Sequence, residues 1–249
     1  MVAVLVAVVA TALITAGLVL LWDDRGEDEG TAPTTTPTTA PEPTVTTPTT
    51  EPTTPSTTGG PTSTAVVPPV DASTAVYPYT TGSLRFTDPV SAARAFAVDF
   101  VGFTDPLVGE LQQGDSRSGE VPVRPAAQGP VTTVFVRQLE DDTWWVLGAA
   151  TDNITVDRPA TGDAITSPVT VAGAALAFEG VVSVEVREDG RAQPIGTGVV
   201  TGGGGPAAPF LGEISFAEPA TDHGALVFLT RSARDGEVWQ AAVLRVRFG

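Results

Sequence analysis

The chain contains no cysteine. Disulfides, thiolate nucleophiles and cysteine-based metal sites are excluded together, and any exported domain must be held by its core alone. Lysine is missing too: the 13 basic residues are all arginine, against 29 acids. Histidine occurs once, as His223 in the stretch ATDHGA, which reads as a surface loop between strands. A metal centre would need clustered histidines, cysteines or carboxylates around it. Ser-His-Asp catalysis would have to recruit this one imidazole, and no GxSxG elbow is present. Gly202–Gly205 does not form a phosphate loop, because no Lys-Ser/Thr pair or helix follows it. Glu213, Glu218 and Asp222 do not rise above the acidic background of a chain with net charge −16. The expectation is a protein without cofactor or metal, and not an enzyme. An enzyme acting on cell-wall glycan through such carboxylates, or a carbohydrate-binding module, is the first alternative; a purely structural spacer is the second.

The negative charge is spread along the chain, at −4 over 23–30, −3 over 31–75, −5 over 76–158 and −4 over 159–249. A surface acidic throughout repels nucleic acid and gives no attraction to anionic lipid. No nucleic-acid partner is expected.

Charge is also absent from Val2 to Trp22. As a helix this run is about 31 Å long, enough for a hydrocarbon core of ~30 Å. Its valines would weaken a helix in water, but in lipid the backbone must bond internally. Trp22 ends the run where an interfacial aromatic sits. A cleaved secretory signal is the rival reading. The missing basic n-region and the length of the run favour a retained transmembrane anchor over residues 1–22. Asp23–Gly30 then form an acidic collar, and residues 31–60 hold 15 threonines and seven prolines. Proline keeps such a segment near polyproline II, without apolar groups to seed a core. Residues 23–75 are expected to be a disordered stalk that carries everything beyond it away from the membrane, on the extracytoplasmic side.

Regular patterning begins at residue 76. Asp88-Pro89 is a helix start, with a capping carboxylate and proline at the first helical position. Val90, Ala93, Phe96 or Ala97, Phe100 and Val101 recur at helical spacing, and Gly102 closes the run. Residues 131–138 alternate as a strand, Glu140–Asp142 turn the chain, and Thr143–Ala149 return. Trp144 and Trp145 are adjacent and must face opposite sides of that strand. Asp115, Arg117, Glu120 and Arg124 read as a solvated loop, and Asn153-Ile154-Thr155 matches a glycosylation acceptor by composition alone. Residues 76–158 are expected to form a small α+β module.

Residues 159–249 show short strands and no helical period: Ile165–Gly173, Val181–Arg187, Gln193–Thr201, Phe210–Phe216, Gly224–Thr230 and Val238–Phe248, with Ala175–Phe178 continuing the first. This is the pattern of an antiparallel β-sandwich. In the last strand Val238, Ala242, Leu244, Val246 and Phe248 share one parity, with Arg245 and Arg247 expected in solvent. Ser167-Pro168, Gly173-Ala174, Phe178-Glu179, Phe210, Gly224 and the Ser232…Asp235-Gly236 turn together resemble the bacterial spore germination immunoglobulin-like family, Gmad2. The resemblance implies an immunoglobulin-like fold, an exported or membrane-attached setting in Gram-positive bacteria including actinobacteria, and no assigned catalytic residues.

The functional expectation is a membrane-tethered, extracytoplasmic, non-catalytic binding or accessory module of the bacterial cell envelope, linked to sporulation or germination. Its partner would be an envelope protein or a cell-wall polymer. The residues expected to meet that partner are Trp145, Trp239, Gly202, Phe210 and His223, in or near the loops Gly202–Pro209 and Glu218–Gly224.

Overall fold

Asp88 begins the first α-helix as its side chain dictates. Its Oδ2 accepts the Ser91 N–H at 2.7 Å, and Pro89 opens helix α1, Pro89–Ala95. The apolar pairs Ala92-Ala93, Phe96-Ala97 and Phe100-Val101 are all buried. They recur every four residues, a spacing that drifts about 40° per pair on a regular α-helix. The chain removes the drift by winding wider, as a π-helical turn over Phe96–Val101. Gly102 ends it in the left-handed conformation, φ 94°, donating to the Ala97 carbonyl. Asp88→Ala should lower stability by about 1 kcal/mol, read as a shifted urea midpoint with unchanged slope.

The computed structural model describes residues 71–139 and 141–249. The expected anchor, and the stalk up to residue 70, lie outside them. Among the described residues no helix is long and apolar enough to cross a membrane. Residues 71–75, expected as the end of the stalk, are built into the fold: Ala75 is buried and the Ser73 carbonyl accepts from Arg245 Nε at 2.7 Å.

Among the described residues thirteen strands follow α1. They are β1 Leu107–Val108, β2 Gln112–Asp115, β3 Ser118–Arg124, β4 Thr132–Gln138, β5 Trp144–Ala150, β6 Ile154–Arg158, β7 Ala164–Ile165, β8 Val169–Ala175, β9 Val181–Glu188, β10 Gly196–Thr201, β11 Ala208–Ile214, β12 His223–Arg231 and β13 Val238–Phe248. A ten-stranded sheet runs β1-β3-β4-β5-β13-β12-β9-β10, with β2 on β3 and β7 on β13; a second sheet runs β11-β8-β6. The second sheet faces the β13-β12-β9-β10 half of the first, as an immunoglobulin-like sandwich. Strand β6, which the sequence reading placed in the α+β module, belongs to this sandwich through β8. The "loop" around Asp115 and Glu120 is the β2–β3 hairpin, with Arg117 in its turn.

Strands β12 and β13 are buried on both faces. Ala225, Val227, Leu229, Ala241 and Val243 join α1, β3, β4 and β5 in one core. Leu226, Phe228, Ala242 and Val246 fill the sandwich from the other side. One sheet therefore serves two cores, and residues 71–249 lie in one compact unit. The consequence for Arg245 is a correction. It is not in solvent: only 3 % exposed, it forks onto both Asp189 carboxylate oxygens at 2.5 and 2.6 Å. Arg247 is exposed as expected. Val238 departs from the parity assigned to it and packs in the helix-side core.

Tyr77 and Tyr79 extend the aromatic cluster around Phe96 and Phe100. Burial, reinforced by the Asp99 carboxylate that accepts its hydroxyl, pushes the Tyr77 phenol up to about 12.

Candidate functional site

The inward row of β12 reads Leu226, Phe228, Thr230, and its partners across the strand pair are Leu244, Ala242 and Gln240. The row is apolar through the sandwich and turns polar at its end. Thr230 and Gln240 are each 2 % exposed. Gln240 Oε1 accepts from Thr151 Oγ1 and Asn153 Nδ2, both at 3.0 Å, and its Nε2 donates to the Leu176 carbonyl at 3.3 Å. The Thr230 hydroxyl has no partner. A buried hydroxyl left unpaired costs on the order of 1–3 kcal/mol, so this one stands out.

A cleft of about 420 Å³ opens here, lined by Thr230, Gln240, Asn153, Trp239, Phe178 and the turn residues Arg231–Arg234. A β-bulge explains the position of Trp239. Thr230 pairs with Gln240 and Arg231 with Val238, which leaves Trp239 as the extra residue of β13. Bulges bend a strand and re-aim a side chain, and they concentrate near functional sites. Trp239 is half-buried, whereas Phe178 is 59 % exposed. Phe178 stands on a tight turn in which Glu179 (φ 54°) and Gly180 (φ 72°) are left-handed.

The opposite wall is a well-bonded turn. Ser232 N–H donates to the Glu237 carbonyl and Gly236 N–H to the Ser232 carbonyl, both at 2.9 Å. The Ser232 hydroxyl, the Glu237 N–H and the Arg234 guanidinium hold the Asp235 carboxyl below the usual range. Arg231 Nη1 caps the turn at the Gly236 carbonyl, 3.1 Å away. A second hollow of about 410 Å³, between Arg158 and Thr170, has no aromatic in its lining.

Of the five residues expected to meet a partner, only Trp239 lines this cleft. Trp145 is 3 % exposed and belongs to a small buried cluster with Ala75 and Leu139. Its indole N–H donates to Thr143 Oγ1 at 2.8 Å, and the Arg85 guanidinium lies 4.8 Å over its ring. It faces away from Trp144, as adjacency in a strand requires, but the N-terminal segment covers it. Phe210 is also 3 % exposed, in the sandwich core 6.0 Å from the Phe228 ring. Neither ring is open to a partner. His223 is the first residue of β12 rather than part of a loop, is half-buried, and pairs with Arg247. Gly202 donates to the Gly180 carbonyl at 2.7 Å and so supports the Phe178 turn from behind. Asn153, read as a glycosylation acceptor, spends its amide on Gln240. Thr230 and Gln240 belong to no motif; the signal they leave in the sequence is two polar residues at core parity on strong strands.

Residues 153–237 match the family model of the immunoglobulin-like domain of bacterial spore germination. These residues are a Gmad2 domain. No curated protein and no solved structure matches the chain. Gmad2 is a non-catalytic structural or binding domain, and among the described residues no cluster of His, Cys, Asp and Glu could hold a metal.

The residues that carry the Gmad2 resemblance have structural roles. Ser167 Oγ accepts the Phe216 N–H at 2.9 Å, tying the start of β8 to the end of β11. At Gly173, in the middle strand of the small sheet, a Cβ would collide with the Thr155 carbonyl oxygen and stand 2.8 Å from Phe210 Cζ. Phe178 on one side and Ser232–Arg234, the first half of the Ser232–Gly236 turn, on the other line the cleft. The match ends one residue before β13, the strand that joins the domain to β5 and the rest of the large sheet.

Proposed function

We propose that the chain is a membrane-tethered, extracytoplasmic accessory protein of a bacterial cell envelope, linked to sporulation or germination, which captures an envelope partner in the Trp239 cleft of its Gmad2 domain. The observation that carries the reading is the cleft itself: an aromatic re-aimed by a bulge, over a floor that contains a buried, unpartnered hydroxyl. The Gmad2 match supports the setting. The apolar run Val2–Trp22 and the Thr/Pro-rich stretch behind it support tethering and display. The partner is an envelope protein or a wall polymer, held by aromatic contact and hydrogen bonding rather than by chemistry on a bond.

Co-sedimentation with an isolated cell-wall fraction, and cross-linking in intact envelopes, test this on the full chain. Trp239→Ala should lower the retained fraction at least tenfold, as expected for a central aromatic anchor. Retention indifferent to Trp239 would remove the cleft from the account, and no retention in either assay would reject the binding role.

A further inference from the structure

The cleft combines three features that point to one class of ligand. Its walls bring the rings of Trp239 and Phe178, flat apolar surfaces suited to the C–H face of a sugar. Its floor is made of groups that both give and accept hydrogen bonds. The Thr230 hydroxyl is unpartnered, and Gln240 has one amide hydrogen beyond its bond to the Leu176 carbonyl. Hydroxyl groups on a ligand match this floor, since each can donate to one atom and accept from the next.

The third feature is charge. The domain is acidic, yet no carboxylate lines the cleft, while Arg231 and Arg234 both do. Arg231 uses one nitrogen on the Gly236 carbonyl. Arg234 meets Asp235 at 3.1 Å with its own side chain 87 % exposed. An exposed pair of that kind holds little energy and yields readily to a better-placed anion. Guanidinium groups recognise carboxylates in a fork, with two parallel hydrogen bonds. A cavity of about 420 Å³ falls in the range of small-ligand sites.

We propose that the cleft binds a carboxylate-bearing saccharide, with the sugar ring on Trp239 and Phe178, its hydroxyls on Thr230 and Gln240, and its carboxylate on Arg231 and Arg234. This assignment rests on the cleft being the binding site and names what enters it.

The test is titration of the full chain with N-acetylmuramic acid and with N-acetylglucosamine, which share a ring and differ by the carboxylate arm. The acid should bind at least fivefold more tightly, and the difference should shrink as salt is raised. Arg231→Gln with Arg234→Gln, at the end of β12 and on the turn that follows it, should abolish the preference, so that the acid and the neutral sugar bind alike. Trp239→Ala should lose both sugars. Equal affinity for the two sugars, no binding of either, or a preference that survives loss of both arginines would overturn the proposal. So would tighter binding of triglutamate, which would make the ligand an acidic peptide. If retention on the cell wall depends on Trp239 while neither sugar binds, the saccharide assignment falls and the cleft's role as a capture site stands.

Discussion

Arg245→Met should cost roughly 3–5 kcal/mol of folding stability, the range for removing one member of a buried ion pair. The change strands the Asp189 carboxylate, whose side chain is 15 % exposed, and leaves the Ser73 carbonyl without its donor. Arg245 lies on β13, Asp189 just beyond β9, and Ser73 in the segment that precedes α1. One side chain therefore fastens the N-terminal segment to the sandwich. The charged residues at the end of β9 are paired on both faces of the sheet. Glu188 takes Arg191 Nη1 at 2.8 Å and the Ala220 N–H at 2.6 Å. Arg187 bonds Glu185 and the Phe100 carbonyl and lies 5.0 Å over the Phe100 ring. Because the cost arises from an uncompensated buried charge, Arg245→Met with Asp189→Leu should recover most of it, and a double-mutant cycle in urea measures the coupling. A loss below about 1 kcal/mol in the single variant would place the pair among surface bridges.

The same arginine shows what alternation along a strand carries and what it does not. Alternation along Val238–Phe248 placed the strand, and seven strands, β7 to β13, form over the segment expected to hold about that many. Alternation cannot say what covers each face. Arg245 was assigned to solvent because it lies opposite an apolar row, but a second core and a partner carboxylate cover that opposite face. Helix α1 was legible through its cap and its spacing, whereas its widening into a π turn depends on the sheet that the apolar pairs must meet. Trp144 and Trp145 were placed on opposite faces from the pleat alone, and which face was closed depended on Ala75, far away in sequence. The cleft was the least legible part. Its geometry comes from a one-residue bulge between Thr230 and Arg231, and a bulge changes register without leaving a compositional mark.

The doubly buried pair β12–β13 makes the second large prediction. Excised residues 153–249 retain every strand of the sandwich but expose Val227, Leu229 and Val243, together with Ala225 and Ala241. The three large side chains alone contribute on the order of 5–9 kcal/mol by burial. That is comparable with the whole stability of a typical domain, about 5–15 kcal/mol. Excision also removes Ser73 from Arg245 and β5 from its pairing at Val243. The isolated segment should therefore lose its cooperative transition and aggregate or bind a hydrophobic dye, although its sequence contains the complete family match.

The most direct measurement is thermal unfolding of residues 71–249 beside residues 153–249, followed by near-ultraviolet circular dichroism. The shared-sheet account predicts one cooperative transition for the longer chain and none for the shorter. A shorter chain that stays monomeric and melts cooperatively within a few degrees of the longer one would contradict it.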